Sequence, residues 1–433
     1  MGDAAARAVE RAARLSYGRL LALLAARGRD LASAEDALGG ALLRALETWP
    51  RTGVPDNPEA WLLATGRRLA VDAWRRQATA ATHAPEVTLL DEERFARQEG
   101  AFPDRRLALM LACAHPAIDP GIRTPLILQT ILGIDVRRMA SAFLVKPATL
   151  GQGLVRAKAR IRDLAIGFEL PGPEALPERI DAVLGAVYAA YTLGWDDAFA
   201  GEDARGDLTE EACWLARIVA DCAPAHAEAN ALLALLLFSE ARKSARRDRL
   251  TGAFVPLSDQ DPATWDAALL TEAEDRLRRA RPEAKPGRFG LEAAIQAVHA
   301  ERRRTGRTDW PAIEHLYRGL VALVPTVGAR IGHAAARAAV SGPAEGLALL
   351  DALGVEAIAT HQPYWATRAH LLAELGRPVE AAEAFERAIG LSRDPAVRQF
   401  LTEKARHPPL RTEPARIAPG GTGTGPISPG GAG

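Results

Sequence analysis

A chain of 433 residues is too long for one ordinary core, so two or three domains are expected. Its 48% apolar and 25% charged residues are those of a soluble globular protein, and 54 Lys and Arg balance 54 Asp and Glu, so any polyanion-facing surface must be local. Three scattered cysteines (Cys113, Cys213, Cys222) exclude a disulfide framework, no apolar run reaches signal-peptide or membrane-span form, and the cytoplasm is the expected compartment.

Alanine, leucine and arginine dominate while β-branched runs are scarce, which predicts an all-α fold. In "LASAEDALGGALLRALETW", Leu31, Ala34, Leu38, Leu42, Ala45 and Leu46 recur at three- and four-residue spacings and predict one apolar stripe. "PRTGVPDNP", residues 50–58, is expected to break that helix and form a rigid loop. A further helix runs from Glu59 to about Gln77. Its apolar Trp61, Leu62, Leu69 and Trp74 leave Arg67, Arg68, Arg75 and Arg76 clustered toward its end. Residues 81–103 read as a linker.

A second compact unit is expected from Asp104 to about 168. Two short apolar helices lead into "DVRRMASAFLVKPATLGQGLVRAKARIRD". Asp135 is the expected N-cap of the first helix here, and Pro147 takes the first position of the second, where its missing N–H costs nothing. Leu150, Leu154, Ala157 and Ile161 give that second helix one inward face. Two short helices, a tight turn and a basic second helix make a helix-turn-helix pattern, although any helical hairpin can imitate it. Between Gly121 and Ala165 eight Lys and Arg face two Asp, which points to a polyanion-facing surface or a solvated face. Helix-turn-helix geometry would put Lys146, Ala148, Thr149 and Gln152 at base edges, with Arg156, Lys158, Arg160 and Arg162 toward phosphates.

From 171 to 405 the chain reads as a helical extension, with stacked hairpins from about 309. Gly376 between two helices, then Ala381, Phe385, Ala388 and Pro395, follow the tetratricopeptide (TPR) pattern of small and aromatic packing positions. The Pro/Gly-rich tail 406–433 is expected to be disordered. Cys113 with His115 is read as a structural helix end and not a metal site, Asp261 as an N-cap before Pro262, and the tryptophans as packing residues. No phosphate loop, dinucleotide fingerprint or catalytic motif is present, so neither enzyme activity, a cofactor nor a metal is expected.

Residues 34–77, "AEDALGGALLRALETWPRTGVPDNPEAWLLATGRRLAVDAWRRQ", resemble the promoter-melting region of extracytoplasmic-function sigma factors of the sigma-70 family. Asp104 to Asp163 resembles their C-terminal helix-turn-helix region. "LACAHPAI", "AFLVKPATLGQGLVRAKARIR", "LSDQDPATWD" and "HQPYWATRAHLLAELGR" are similar to a subgroup with a long C-terminal TPR-containing extension. The likeness runs over roughly residues 10 to 405.

The resemblance implies a promoter-specificity subunit whose partners are core RNA polymerase, at its clamp, and promoter DNA. It implies polymerase contacts at Glu35, Asp36, Leu38 and Leu42. Downstream DNA would meet Asp56, Asn57, Trp61, Arg67, Arg68, Arg75 and Arg76, with the loop from Arg51 to Pro58 capturing a flipped base. Upstream DNA would meet Lys146, Thr149, Gln152, Arg156, Lys158 and Arg160. A regulatory protein or peptide would act at the C-terminal helical domain, and no membrane partner is implied. Gly39, Gly40, Arg68, Gly151 and Gly153 depart from the family pattern. The glycines predict lost clamp-facing side chains and a softened recognition helix. An alternative is a DNA- or protein-binding adaptor that has lost productive polymerase engagement.

Overall fold

The computed structural model describes residues 2–28, 30–79, 105–143, 145–172, 174–197, 207–280, 286–354 and 358–407. The expected linker 81–103 and the tail from 408 on lie outside them. Among the described residues the chain is all-helical. It divides into two compact units: one runs to Asp309 apart from Gly252–Phe254, and the other is those three residues with the chain from Trp310 on.

The first unit opens with α1 (Gly2–Leu15), α2 (Tyr17–Gly28), α3 (Leu31–Thr52) and α4 (Pro58–Thr79). Asp30 caps α3 by accepting from the amides of Ala32 and Ser33 at 3.1 and 3.3 Å. The expected break at Pro50 does not occur: a proline in the last turn removes one donor near the helix end, and α3 runs on to Thr52. Its terminator is Gly53, whose φ of 87° suits glycine and whose N–H donates to the Trp49 carbonyl at 3.0 Å. Asn57 then starts α4, its Oδ1 accepting from the Ala60 amide at 3.0 Å. The buried stripe of α3 is Leu31, Ala34, Ala37, Leu38, Ala41, Ala45 and Trp49, while Leu46, expected inside, faces out at 45% exposure.

Next come α5 (Arg106–Cys113), α6 (Pro120–Leu132), α7 (Val136–Ala142) and α8 (Pro147–Asp163). Gly133 ends α6 in the left-handed conformation at φ 60°. Asp135 caps α7 by accepting from the Arg137 amide at 2.8 Å, and Pro147 opens α8 as expected. Then follow α9 (Leu176–Asp197), α10 (Asp207–Cys222) and α11 (Ala227–Glu240), with α12 (Ala267–Arg279), α13 (Arg288–Ala300) and the single turn α14 (Arg302–Thr305) closing the unit.

The core of this unit is continuous from Ala5 to Ala300, so the stretches expected to fold apart at 104 and 171 share one interior. The cause is α6. It buries Leu126, Ile127, Leu128, Thr130 and Ile131, apolar nearly all round, and such a helix needs neighbours on more than one side. Helix α2 packs on one part of it, α8 on another and α9 on a third. Gly18 lets α2 in so closely that a Cβ there would stand 2.1 Å from the Ile131 carbonyl oxygen.

In the second unit α15 (Trp310–Leu323), α16 (Val327–Ser341), α17 (Pro343–Asp351), α18 (Gln362–Glu374), α19 (Pro378–Leu391) and α20 (Pro395–Arg406) pack mainly in chain order. Gly376, at φ 70°, turns α18 into α19, and Ala381, Phe385 and Ala388 are buried as the sequence predicts.

Candidate nucleic-acid interface

Helix α8 sorts its residues cleanly. Leu150, Gly153, Leu154, Ala157 and Ile161 are buried, while Lys146, Thr149, Gln152, Arg156 and Arg160 are exposed. Five of the six residues expected to meet upstream DNA therefore share solvent-facing positions, with no carboxylate before Asp163, which pairs with Arg162 at 3.2 Å. Val155 stands among them at 68% exposure, an outward apolar residue that the sequence reading passed over.

Lys158 is the exception. It points back into the molecule, its Nζ 2.5 Å from Oε2 of Glu35 on α3, and the two side chains are only 12% and 19% exposed. Lys158 is thus not an open phosphate ligand in this state, nor is Glu35 an open polymerase contact. The other Glu35 oxygen, Oε1, is buried without a hydrogen-bond partner. Burial raises the Glu35 carboxyl above its usual range, and Lys158 opposes that shift without cancelling it. Around the pair, burial also pushes the Tyr17 hydroxyl and the Cys113 thiol up to about 12 each.

Gly153 needs a different explanation from softness. A Cβ there would sit 2.5 Å from Cδ1 of Ile122, so glycine is the price of close packing between α8 and α6. Gly151, by contrast, faces open space. On α3, Asp36 and Gly39 are exposed and Leu42 is half-buried. Leu38 is fully buried in the core and offers nothing to a partner. That expectation is corrected: the outward positions are instead Leu43 and Leu46, at 58% and 45% exposure.

In the loop before α4, Asp56 and Asn57 are exposed, the latter spending its side-chain oxygen on the cap. Trp61 is half-buried, edge-on to Trp49 with ring centroids 5.5 Å apart. Arg68 and Arg75 are exposed and Arg67 is half-buried, while the side chains of Trp74 and Arg76 lie outside the described residues. Asp56, Asn57, Trp61 and Arg68 therefore gather at the start of α4 and along it.

Cys113 is buried 3.6 Å from the Thr130 hydroxyl, and His115 Nδ1 accepts from the Ala117 amide at 3.1 Å, both helix-end contacts. Among the described residues no group of three His, Cys, Asp or Glu could hold a metal, and no helix is long and apolar enough to cross a membrane.

Residues 13–79 match the family described as Sigma-70 region 2, and residues 179–281 match a family of unknown function, DUF6596. Uncharacterized protein R00370 of Rhizobium meliloti (strain 1021) is 37% identical over 385 residues, covering 88% of this chain and 90% of that protein. No solved structure matches the chain. The matched region 2 spans the end of α1 and all of α2, α3 and α4, so it includes Glu35, Asn57 and Arg68, and it carries an RNA-polymerase sigma-factor-like role with core polymerase and promoter DNA as partners. With that relative along nearly its full length, the chain belongs to one family with R00370, and it carries a sigma-70 region 2 at its N-terminus.

Proposed function

We propose that this chain is a sigma factor of the extracytoplasmic-function type, working in the cytoplasm, with α7 and α8 as its upstream promoter reader. Lys146, Thr149, Gln152, Arg156 and Arg160 meet the upstream element. Lys158 joins them only when freed from Glu35. The 53–57 loop with Trp61, Arg67, Arg68, Arg75 and Arg76 holds the melted downstream element, where an unpaired base needs a preformed pocket and nearby cations. Asp36 and Leu42 belong to the polymerase-facing side of α3, together with Leu43 and Leu46. The helical hairpins from Trp310 on govern the factor by contact with a regulatory protein or peptide.

One observation carries this reading: an acid-free, solvent-facing set of five polar and basic residues lies on the helix that Pro147 opens, in one compact unit with sigma-70 region 2. Carboxylates would be repelled there by a phosphate backbone bearing one charge per strand about every 3.4 Å.

The test is run-off transcription with core polymerase from the native host and the full chain, on templates selected from that genome. Promoter-dependent transcript is expected, and Gln152→Ala with Arg156→Ala should reduce it on every template. Absence of any transcript, with DNA or protein binding retained, would establish the adaptor reading instead.

A further inference from the structure

We propose that Glu35 and Lys158 form a latch between the two partner-binding faces, so that polymerase engagement of α3 takes the Glu35 carboxylate and thereby releases Lys158 to a DNA phosphate. The proposal rests on the reading of α3 and α8 given above, and it assigns those faces a coupling that neither has alone.

The geometry is a closed one. Lys158 leaves α8 on the side away from Gln152, and its ammonium ends 2.5 Å from Glu35, 123 residues earlier in the chain. While it points there it cannot reach a phosphate on the outward face. Glu35 is likewise turned inward, so a cationic group on a partner cannot use it until α3 and α8 part. These two helices pack directly on one another, and their separation would expose both charges together.

The latch is also built to be breakable. A buried ion pair gains Coulomb energy but loses hydration, and the two nearly offset unless every remaining polar atom is satisfied. Here Oε1 of Glu35 has no partner, so the carboxylate would acquire donors on opening. Nearby, Asp30 and Asp36 add negative charge that Lys158 must also balance, while Tyr17 and Cys113 stay neutral. Either partner alone, a polymerase cation for Glu35 or a phosphate for Lys158, therefore lowers the cost of binding the other.

The test uses the full chain without polymerase, in four forms: wild type, Glu35→Gln, Lys158→Glu, and the exchanged pair Glu35→Lys with Lys158→Glu. Opening is read by hydrogen–deuterium exchange in α3 and α8, and circular dichroism checks that each form is folded. Binding is read by anisotropy of a labelled mixed-sequence duplex at low salt. Both single variants should exchange faster at α3 and α8 by at least roughly tenfold, since each strands a buried charge, and the exchanged pair should return toward wild type. Glu35→Gln should bind the duplex roughly tenfold tighter than wild type, whereas Lys158→Glu should open without that gain. Unchanged exchange in the singles, or no recovery in the exchanged pair, overturns the latch. Faster exchange in Glu35→Gln without tighter duplex binding overturns its coupling to DNA, while the assignment of α8 as reader is judged separately, by whether Arg156→Ala weakens duplex binding of the wild-type chain.

Discussion

The Cβ that Gly153 lacks would stand 2.5 Å from Cδ1 of Ile122 and 3.2 Å from its Cγ1, on the buried side of α8. A side chain there must push α8 away from α6 or force Ile122 from its place. Restoring a basic residue, as in Gly153→Arg, should therefore weaken the fold and not strengthen DNA binding. Overpacking of this kind costs about 1–3 kcal/mol, and a guanidinium driven toward a core adds to it. Gly151→Ala, facing open space on the same helix, should be neutral to stabilising by up to about 1 kcal/mol. Urea unfolding of the two variants beside wild type checks the contrast, and equal effects would contradict it.

A second close approach ties α2 to α6. At Gly18 a Cβ would meet backbone, the Ile131 carbonyl oxygen at 2.1 Å, and backbone cannot swing aside as a side-chain tip can. Gly18→Ala should cost more than Gly40→Ala, whose Cβ would meet only the tip of Leu69 at 2.9 Å. A difference of about 1–3 kcal/mol in unfolding free energy is expected, with faster amide exchange in α2 and α6 of the first variant.

Much of this was legible in the chain and some was not, for reasons that lie in particular residues. Asp135, Pro147, Leu150, Leu154, Ala157 and Ile161 announce α7 and α8 through caps and period, because those signals act within one helix. Leu46 fell on the wrong side because a stripe of leucines and alanines is wide enough to admit several faces, whereas Leu38 lies inside as its place in the stripe predicts and only its implied polymerase contact is at odds with that burial. The inward turn of Lys158 had no local signal at all: its partner lies on α3, and charge patterning along α8 reads the same whether a lysine meets phosphate or Glu35. The sharing of one core by α2, α6 and α9 was hidden for a related reason. An all-round apolar helix such as α6 demands covers without saying which elements supply them.

Arg106 shows how firmly that shared core is fastened. It is 7% exposed, its guanidinium carbon lies 3.8 Å from the centre of the Trp214 ring, and it pairs with Glu211. This joins α5 to α10, across residues that sequence reading assigned to separate units. Arg106→Ala would take one cation from Glu211 and strip the Trp214 ring of its stacked partner. Loss of one member of a buried pair costs about 3–5 kcal/mol, and because Glu211 remains about a quarter exposed the expected loss is nearer about 2–3 kcal/mol. Arg106→Lys should recover only part, since an ammonium cannot stack as a guanidinium does. Urea titration of both variants measures this, and full recovery by lysine would show that charge alone is what α5 supplies.

His299 on α13 makes stability depend on pH in a predictable direction. Burial, with Arg242 and Arg302 beside it, lowers its pKa from the ordinary 6.5 to about 4, so the folded protein holds it neutral. The unfolded chain takes up a proton near its ordinary value, and the folded chain resists until far lower. The stabilisation is therefore fully present above about pH 6.5 and is lost as pH falls toward about 4. Complete loss of it corresponds to on the order of 3 kcal/mol. His299→Gln keeps a neutral polar group of similar size and removes the titration. Between pH 7 and pH 5 wild type should lose stability relative to this variant, so that the gap between their urea midpoints narrows or reverses. Parallel pH profiles would mean that His299 titrates near its ordinary value in the folded chain, and would overturn this prediction.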